Sequence, residues 1–178
     1  MKKALFIILA ALSAMSCDHK VDFNELLAED FAAATLEYPG KEVKLYEVQT
    51  VMSQTANLHP VVLASSTIIQ IGRDSVKRID RIFSKGRIKE EYETVKEGFW
   101  SGNLEIRLDS VKITLNDALD ILSQYDGVPR EPYMTFRKAD EPPFKLRYIF
   151  GSRDSYYLAV DALTGEVDSL ECNDTLSY

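Results

Sequence analysis

Apolar side chains recur every three or four residues just after residue 22, and this spacing predicts an amphipathic helix. The positions that form its apolar face are Phe23, Leu26, Leu27, Phe31 and Ala34. Asp22 is a suitable N-cap with Glu25 three residues later, and Pro39 and Gly40 provide a stop signal. The folded part of the chain is therefore predicted to begin with one helix.

Two segments rich in β-branched and apolar residues follow this helix and predict strands. They read "EVKLYEVQTVMS" and "PVVLASSTIIQI", and residues 57–60 separate them as a turn. A third segment, residues 75–95, is ambiguous because its apolar residues also fit a helical stripe. Ile79 and Phe83 alternate with polar residues, and Gly86 is well placed for a loop, so a hairpin is the preferred prediction.

The second half of the chain repeats the order of a helix followed by strands. Leu104, Ile106 and Leu108 alternate with polar residues and predict one more strand before the second helix. Thr114 and Asp117 then read as the N-terminal cap of a helix over residues 115–125, with Gly127 and Pro129 beyond its end. Four short strands are predicted after it, over the segments "YMTFRK", "KLRYIFG", "YYLAVDA" and "GEVDSL".

This order predicts an α+β fold built of two units, each a helix followed by antiparallel strands. Residues 23–112 form the N-terminal unit and residues 113–178 the C-terminal one. The shared order suggests a structural duplication, although the residues of the two units do not align.

The first 16 residues have the pattern of a secretory signal. Two lysines precede the apolar run "ALFIILAAL", and small residues follow it. The run is well short of the roughly 20 residues that cross a bilayer as a helix. Residues 14–17, "AMSC", resemble a bacterial lipobox, which implies that Cys17 carries a diacylglycerol and that residues 17–22 form a lipidated tether. The alternative is an ordinary signal peptide in which Cys17 is incidental.

Cysteine content and charge narrow the possible partners. Lipidation of Cys17 would leave Cys172 without an intramolecular partner, so the fold is predicted to stand without disulfides.

Without residues 1–16 the chain has 19 basic against 28 acidic residues, a formal charge of −9, and such a surface repels nucleic acid. The basic residues between 73 and 89 are predicted to form a solvated face that pairs with the neighbouring "KEEYE". They are Arg73, Lys77, Arg78, Arg81, Lys85, Arg87 and Lys89.

The C-terminal unit, and above all the segment "YYLAVDALTGEV", resembles a PepSY or PepSY-like domain, in which a helix is followed by a sheet ending in such a hairpin. Asp161 and Thr164 are predicted to accept hydrogen bonds from the turn backbone, and Gly165 to supply a conformation that other residues resist. The resemblance implies a module of Bacteroidetes-type lipoproteins that binds or inhibits envelope peptidases. It implies no catalytic residue; a site at Asp161, Thr164 and Glu166 is the alternative.

Motifs for catalysis or metal binding are missing from the sequence. The two histidines, His19 and His59, lie outside any zinc-binding spacing, so no cofactor or metal is predicted. Phe99 and Trp100 between two glycines are candidate binding residues, with burial against the sheet as the alternative.

The predicted function is a non-catalytic binding module, anchored to a membrane and facing the periplasm or the cell surface. The alternatives are an assembly component of an envelope complex and a carboxylate-based enzyme acting on glycans.

Overall fold

The computed structural model of the chain describes residues 22–53, 61–100, 102–125, 133–151 and 157–170. The helices are α1 (Phe23–Glu37) and α2 (Leu115–Leu122). The strands of the first half are β1 (Val43–Met52), β2 (Val62–Ile71), β3 (Ser75–Ser84) and β4 (Arg87–Glu97). Those of the second half are β5 (Tyr133–Lys138), β6 (Leu146–Phe150), β7 (Tyr157–Asp161) and β8 (Val167–Leu170).

All eight strands form one antiparallel sheet in the order β4-β3-β2-β1-β5-β6-β7-β8. β1 and β5 are neighbours at its centre, and the strands of each half follow outward from them in chain order. The predicted α+β class is confirmed, with strands dominating the fold. The two halves share the order of one helix and four strands, and their origin by duplication stays a hypothesis.

Both helices begin at the caps that the sequence predicts. The Asp22 carboxylate accepts hydrogen bonds from the backbone N–H groups of Asn24 (2.8 Å) and Glu25 (3.2 Å). Thr114 and Asp117 form a reciprocal capping box at α2, which ends at Leu122, earlier than predicted. Neither described helix is long and apolar enough to cross a membrane.

The main core lies between one face of the sheet and the two helices. Phe23 of α1 packs edge-on against Phe136 (5.9 Å between ring centroids) and Tyr148 (6.3 Å), and these two rings stack on each other at 4.5 Å. Leu27 of α1 and Leu122 of α2 belong to the same buried cluster. Burial of each such side chain stabilises the fold by about 1.5–3 kcal/mol.

The segment of residues 75–95 is a hairpin, as predicted. Lys85 and Gly86 form its two-residue loop, with φ values of 53° and 72°. Positive φ at both loop residues is the geometry whose twist matches antiparallel strands, and glycine adopts it without strain. The turn predicted over residues 57–60 lies outside the described residues.

The predicted strand around Leu104, Ile106 and Leu108 is wrong. Two short 3₁₀ turns occupy the region, and only Ile106 makes an isolated bridge, to Leu45. The reason is that β5 pairs with β1 from Glu47 onward, so little of that edge is left for another strand. Ile106 is buried, and Leu104 and Leu108 are only partly buried.

Candidate functional site

Phe99 and Trp100, the predicted binding pair, have different environments in the structure. The Phe99 side chain is 75% exposed. Trp100 is partly buried, and its ring packs on that of buried Tyr46, with 5.7 Å between centroids and 32° between planes. The proposed burial against the sheet therefore describes Trp100, whereas Phe99 is available for contact.

A buried amide holds the backbone on both sides of Phe99. The Gln70 side chain donates to the carbonyl of Gly98 (3.3 Å) and accepts from the N–H of Trp100 (3.0 Å). The N–H of Gly98 donates to the carbonyl of Asp74 at 2.9 Å. We call this arrangement the Gln70 clamp. It fixes the backbone that presents Phe99, so little ordering is needed when the ring makes a contact.

The clamp also depends on the small size of Gly98. A Cβ atom there would lie 3.0 Å from Cγ2 of Val76, which is too close for an ordinary contact. Two of the predicted sequence features, the glycine and the aromatic pair, thus belong to one structure. Gln70 gave no signal in the sequence because it lies 30 positions before Trp100 and becomes its neighbour only through the fold of the sheet.

The turn within "YYLAVDALTGEV" is built as predicted. Asp161 Oδ1 accepts hydrogen bonds from the N–H groups of Leu163 (2.8 Å) and Thr164 (2.9 Å), and Thr164 Oγ1 accepts from the N–H of Glu166 (3.3 Å). Gly165 has a φ of 77°, which favours glycine. These contacts support the structural interpretation of the motif, because the Asp161 and Thr164 oxygens are engaged within the turn.

A row of charged side chains crosses the sheet on the face opposite the helices. The strand register places Glu47, Arg137, Arg147 and Asp161 side by side on β1, β5, β6 and β7. Arg137 contacts Asp140 (2.9 Å) and lies 4.0 Å from Glu47, and Arg147 contacts Asp168 at 2.8 Å. The arginines therefore balance carboxylates locally.

Glu47 is the carboxyl that β1 contributes to this row. It is buried, and burial raises its pKa, while the hydrogen bond from Gln49 (2.6 Å) and the charge of Arg137 act in the opposite direction. Glu47 is not among the site residues predicted from the sequence. The available signal was a glutamate inside a predicted strand, between Tyr46 and Val48.

The basic segment pairs with "KEEYE", as predicted, but it is not a solvated face throughout. Lys77 and Arg81 point under α1 and are nearly buried. Arg81 contacts Glu91 at 2.6 Å, and Lys77 contacts Glu93 at 2.9 Å. Burial alone would lower the pKa of Lys77, but its hydrogen bonds with Glu37 and Glu93 outweigh burial and raise it.

Asp30 of α1 completes this network from above the sheet. It is buried, and its carboxylate accepts hydrogen bonds from Arg81 Nη1 (2.6 Å) and Thr67 Oγ1 (3.0 Å). The pair joins the middle of α1 to β2 and β3. Its function is therefore to position the helix on the sheet.

The remaining candidates of the sequence lie outside the described residues. These are Cys17, His19, His59 and Cys172. Within the described part of the chain, no group of three or more histidine, cysteine, aspartate or glutamate side chains is arranged to hold a metal ion.

Comparison with known proteins gives a fold likeness. No model of a known protein family matches the chain, and no curated protein matches it. Among solved structures, the chain is similar to a protein of Clostridium difficile 630 described as a "putative lipoprotein", with 12% identity and a TM-score of 0.50. The match covers 88% of this chain and 98% of that one. The chain thus shares the fold of that protein over nearly its whole length, and the resemblance to PepSY-like domains stays a prediction.

Proposed function

We propose that this chain is a lipid-anchored protein of the cell envelope that binds another protein and catalyses no reaction. The observation that carries the binding function is the presentation of Phe99, an exposed aromatic ring on a backbone held at both neighbours by the Gln70 clamp. Aromatic side chains that are fixed before binding are typical anchors of protein interfaces.

The membrane anchor in this proposal is Cys17. Its support is the lipobox-like "AMSC" after the apolar run, together with a fold shared with a protein described as a "putative lipoprotein". α1 begins at Phe23, and the six Cα–Cα steps from Cys17 to Phe23 span at most about 21 Å. A lipid on Cys17 would therefore hold the start of α1 close to the membrane surface.

The contacts of the buried charged groups support the absence of catalysis. Asp30 pairs with Arg81, Lys77 with glutamates, and Asp161 accepts hydrogen bonds from its own turn. Glu47 accepts a hydrogen bond from Gln49 and lies 4.0 Å from Arg137. Each of these groups stabilises a described contact. A general acid or base needs in addition a position from which it reaches a substrate.

The finer part of the proposal concerns the partner. The resemblance of "YYLAVDALTGEV" to PepSY-like domains favours an envelope peptidase, which this chain would bind or inhibit in trans. Incubation of envelope peptidases with the purified protein tests this directly. Neither binding nor inhibition in that assay would contradict the peptidase part and leave the anchor unaffected.

Two experiments test the anchor and the binding surface separately. Cells fed radiolabelled palmitate should label the wild-type chain and not Cys17→Ser, and equal labelling would contradict lipidation. Affinity capture from envelope extracts should recover a partner with wild-type protein and lose it with Phe99→Ala. Leu36→Ala is the matched control because its side chain is also largely exposed, at 82%, but lies on α1. Equal loss with both variants, or no partner with wild-type protein, would contradict the binding function.

A further inference from the structure

We propose that the outer edge of β4, together with Phe99, is a strand-addition site for an extended, basic segment of a partner protein. This inference rests on the proposed binding function and specifies how the partner docks. Four features of the described residues carry it: a free strand edge, a run of exposed apolar side chains, a local excess of carboxylates, and a charge pattern that disfavours pairing with a second copy.

β4 is the last strand on its side of the sheet. It has 11 residues, and among the described residues it pairs with β3 alone. Half of the backbone N–H and C=O groups of an edge strand point away from the sheet and can pair with another extended chain. The opposite edge strand, β8, has only four residues. The longer edge is therefore the better template for strand addition.

Exposed apolar side chains are concentrated along this strand and its continuation. Ile88, Tyr92 and Val95 of β4 are each about half exposed, and Phe99 follows two residues after the strand ends. Tyr92 lies on the face opposite the helices, whereas Val95 lies on the helix face, as the register with Asp80 and Lys77 shows. A partner strand at this edge would cover apolar surface on both faces of the sheet.

On the helix face, beside the middle of β4, carboxylates outnumber cations. The buried cations Lys77 and Arg81 are surrounded by four acidic side chains, which leaves an excess of two negative charges. These acids are Asp30, Glu37, Glu91 and Glu93. Glu91 and Glu93 remain 39% and 46% exposed at the edge, so a partner strand with lysine or arginine opposite them is complementary in charge.

The same charges disfavour a second copy of this chain as the partner. Glu91, Glu93 and Glu97 lie on one face, opposite Arg81, Ile79 and Ser75 of β3. Two copies of β4 could pair antiparallel, with their helix faces on the same side and the two-fold axis passing through one residue of the strand. For every such residue from Glu91 to Val95, at least one glutamate then lies opposite a glutamate of the other copy. Like charges directly opposite each other destabilise a strand pair, so the partner at this edge is a basic segment of another protein.

The test uses a fluorescent synthetic peptide of 12 residues in which lysine alternates with valine and threonine. It should bind the wild-type protein in fluorescence anisotropy and slow hydrogen exchange of β4 amides, with β8 amides unchanged. Methylation of alternate backbone nitrogens of the peptide should weaken binding at least tenfold, because that edge can no longer donate hydrogen bonds. Tyr92→Thr and Phe99→Ala should weaken binding, whereas Leu36→Ala should not.

Several results would overturn the inference. Equal affinity of the methylated peptide would mean electrostatic adhesion alone, and equal affinity of a glutamate-valine peptide would contradict the charge argument. A dimer that sedimentation detects and Tyr92→Thr abolishes would assign the edge to a second copy. If extracts yield a Phe99-dependent partner but the lysine peptide leaves β4 amides unprotected, strand addition is wrong and the binding function stands. If no partner is captured at all, the binding function itself fails.

Discussion

Removal of the Asp30 carboxylate should destabilise the protein more than any exposed charge substitution. Asp30 is 2% exposed and makes two contacts with the Arg81 guanidinium, one from each carboxylate oxygen, and one with the Thr67 hydroxyl. In Asp30→Ala the guanidinium stays beneath α1 with Glu91 as its other ionic contact. The variant thus leaves a buried positive charge only partly compensated.

The expected magnitude follows from the cost of breaking a buried ion pair. Removing one partner typically costs about 3–5 kcal/mol, because the other charge remains buried. Glu91 keeps part of the compensation, so the lower half of that range, about 3–4 kcal/mol, is expected here. For a domain of this size each kcal/mol lowers the melting temperature by about 2–4 °C.

Equilibrium unfolding in urea, followed by fluorescence, measures this loss. Trp100 is the single tryptophan and packs on Tyr46, so its emission reports on the folded sheet. Asp109→Ala is the matched control, because the Asp109 side chain is 74% exposed beside Arg107 and such pairs contribute about 0–1 kcal/mol. The double variant Asp30→Leu/Arg81→Met removes both charges and should recover much of the stability.

Two outcomes would refute this reasoning. A loss for Asp30→Ala no larger than that for Asp109→Ala would show that the pair is effectively solvated. A double variant less stable than Asp30→Ala would show that Arg81 stabilises the fold even without Asp30, through its contact with Glu91, so its charge is not left uncompensated.

Three further predictions concern single side chains. Burial raises the pKa of Glu47 in the folded state, so its ionisation destabilises the fold as the pH rises above the ordinary carboxyl range. Glu47→Gln cannot ionise, and it should therefore unfold at a higher urea concentration than the wild type at pH 8. At pH 4 this difference should disappear. Gly165→Ala should cost about 1–2 kcal/mol in urea unfolding, since φ is 77° and the new Cβ would lie 3.1 Å from Ile121, whereas Gly102→Ala, with open space, should cost less. Gln70→Ala should shift the Trp100 emission to longer wavelength and lower the free energy of unfolding by about 1–3 kcal/mol. The reason is that the Gly98 carbonyl and the Trp100 N–H lose their hydrogen-bond partner. An unchanged spectrum would contradict the clamp.

The sequence predicted the features that depend on neighbouring residues. Asp22 caps α1, Thr114 and Asp117 cap α2, and residues 161–165 form the turn, because each of these contacts joins atoms within a few positions of one another. The Lys85-Gly86 hairpin belongs to the same group. Side-chain type and spacing are sufficient to specify such local hydrogen bonds.

Tertiary structure alone decided which segments meet. The pairing of β1 with β5 excluded the strand predicted around Ile106, and the position of α1 buried Lys77 and Arg81, which looked solvated in the sequence. The different exposure of Phe99 and Trp100 likewise depends on Gln70, which lies 30 residues before Trp100 in the chain. The physical reason is that alternation of polar and apolar residues fixes which face a side chain takes, whereas its neighbours across the sheet are set by register between strands distant in the chain.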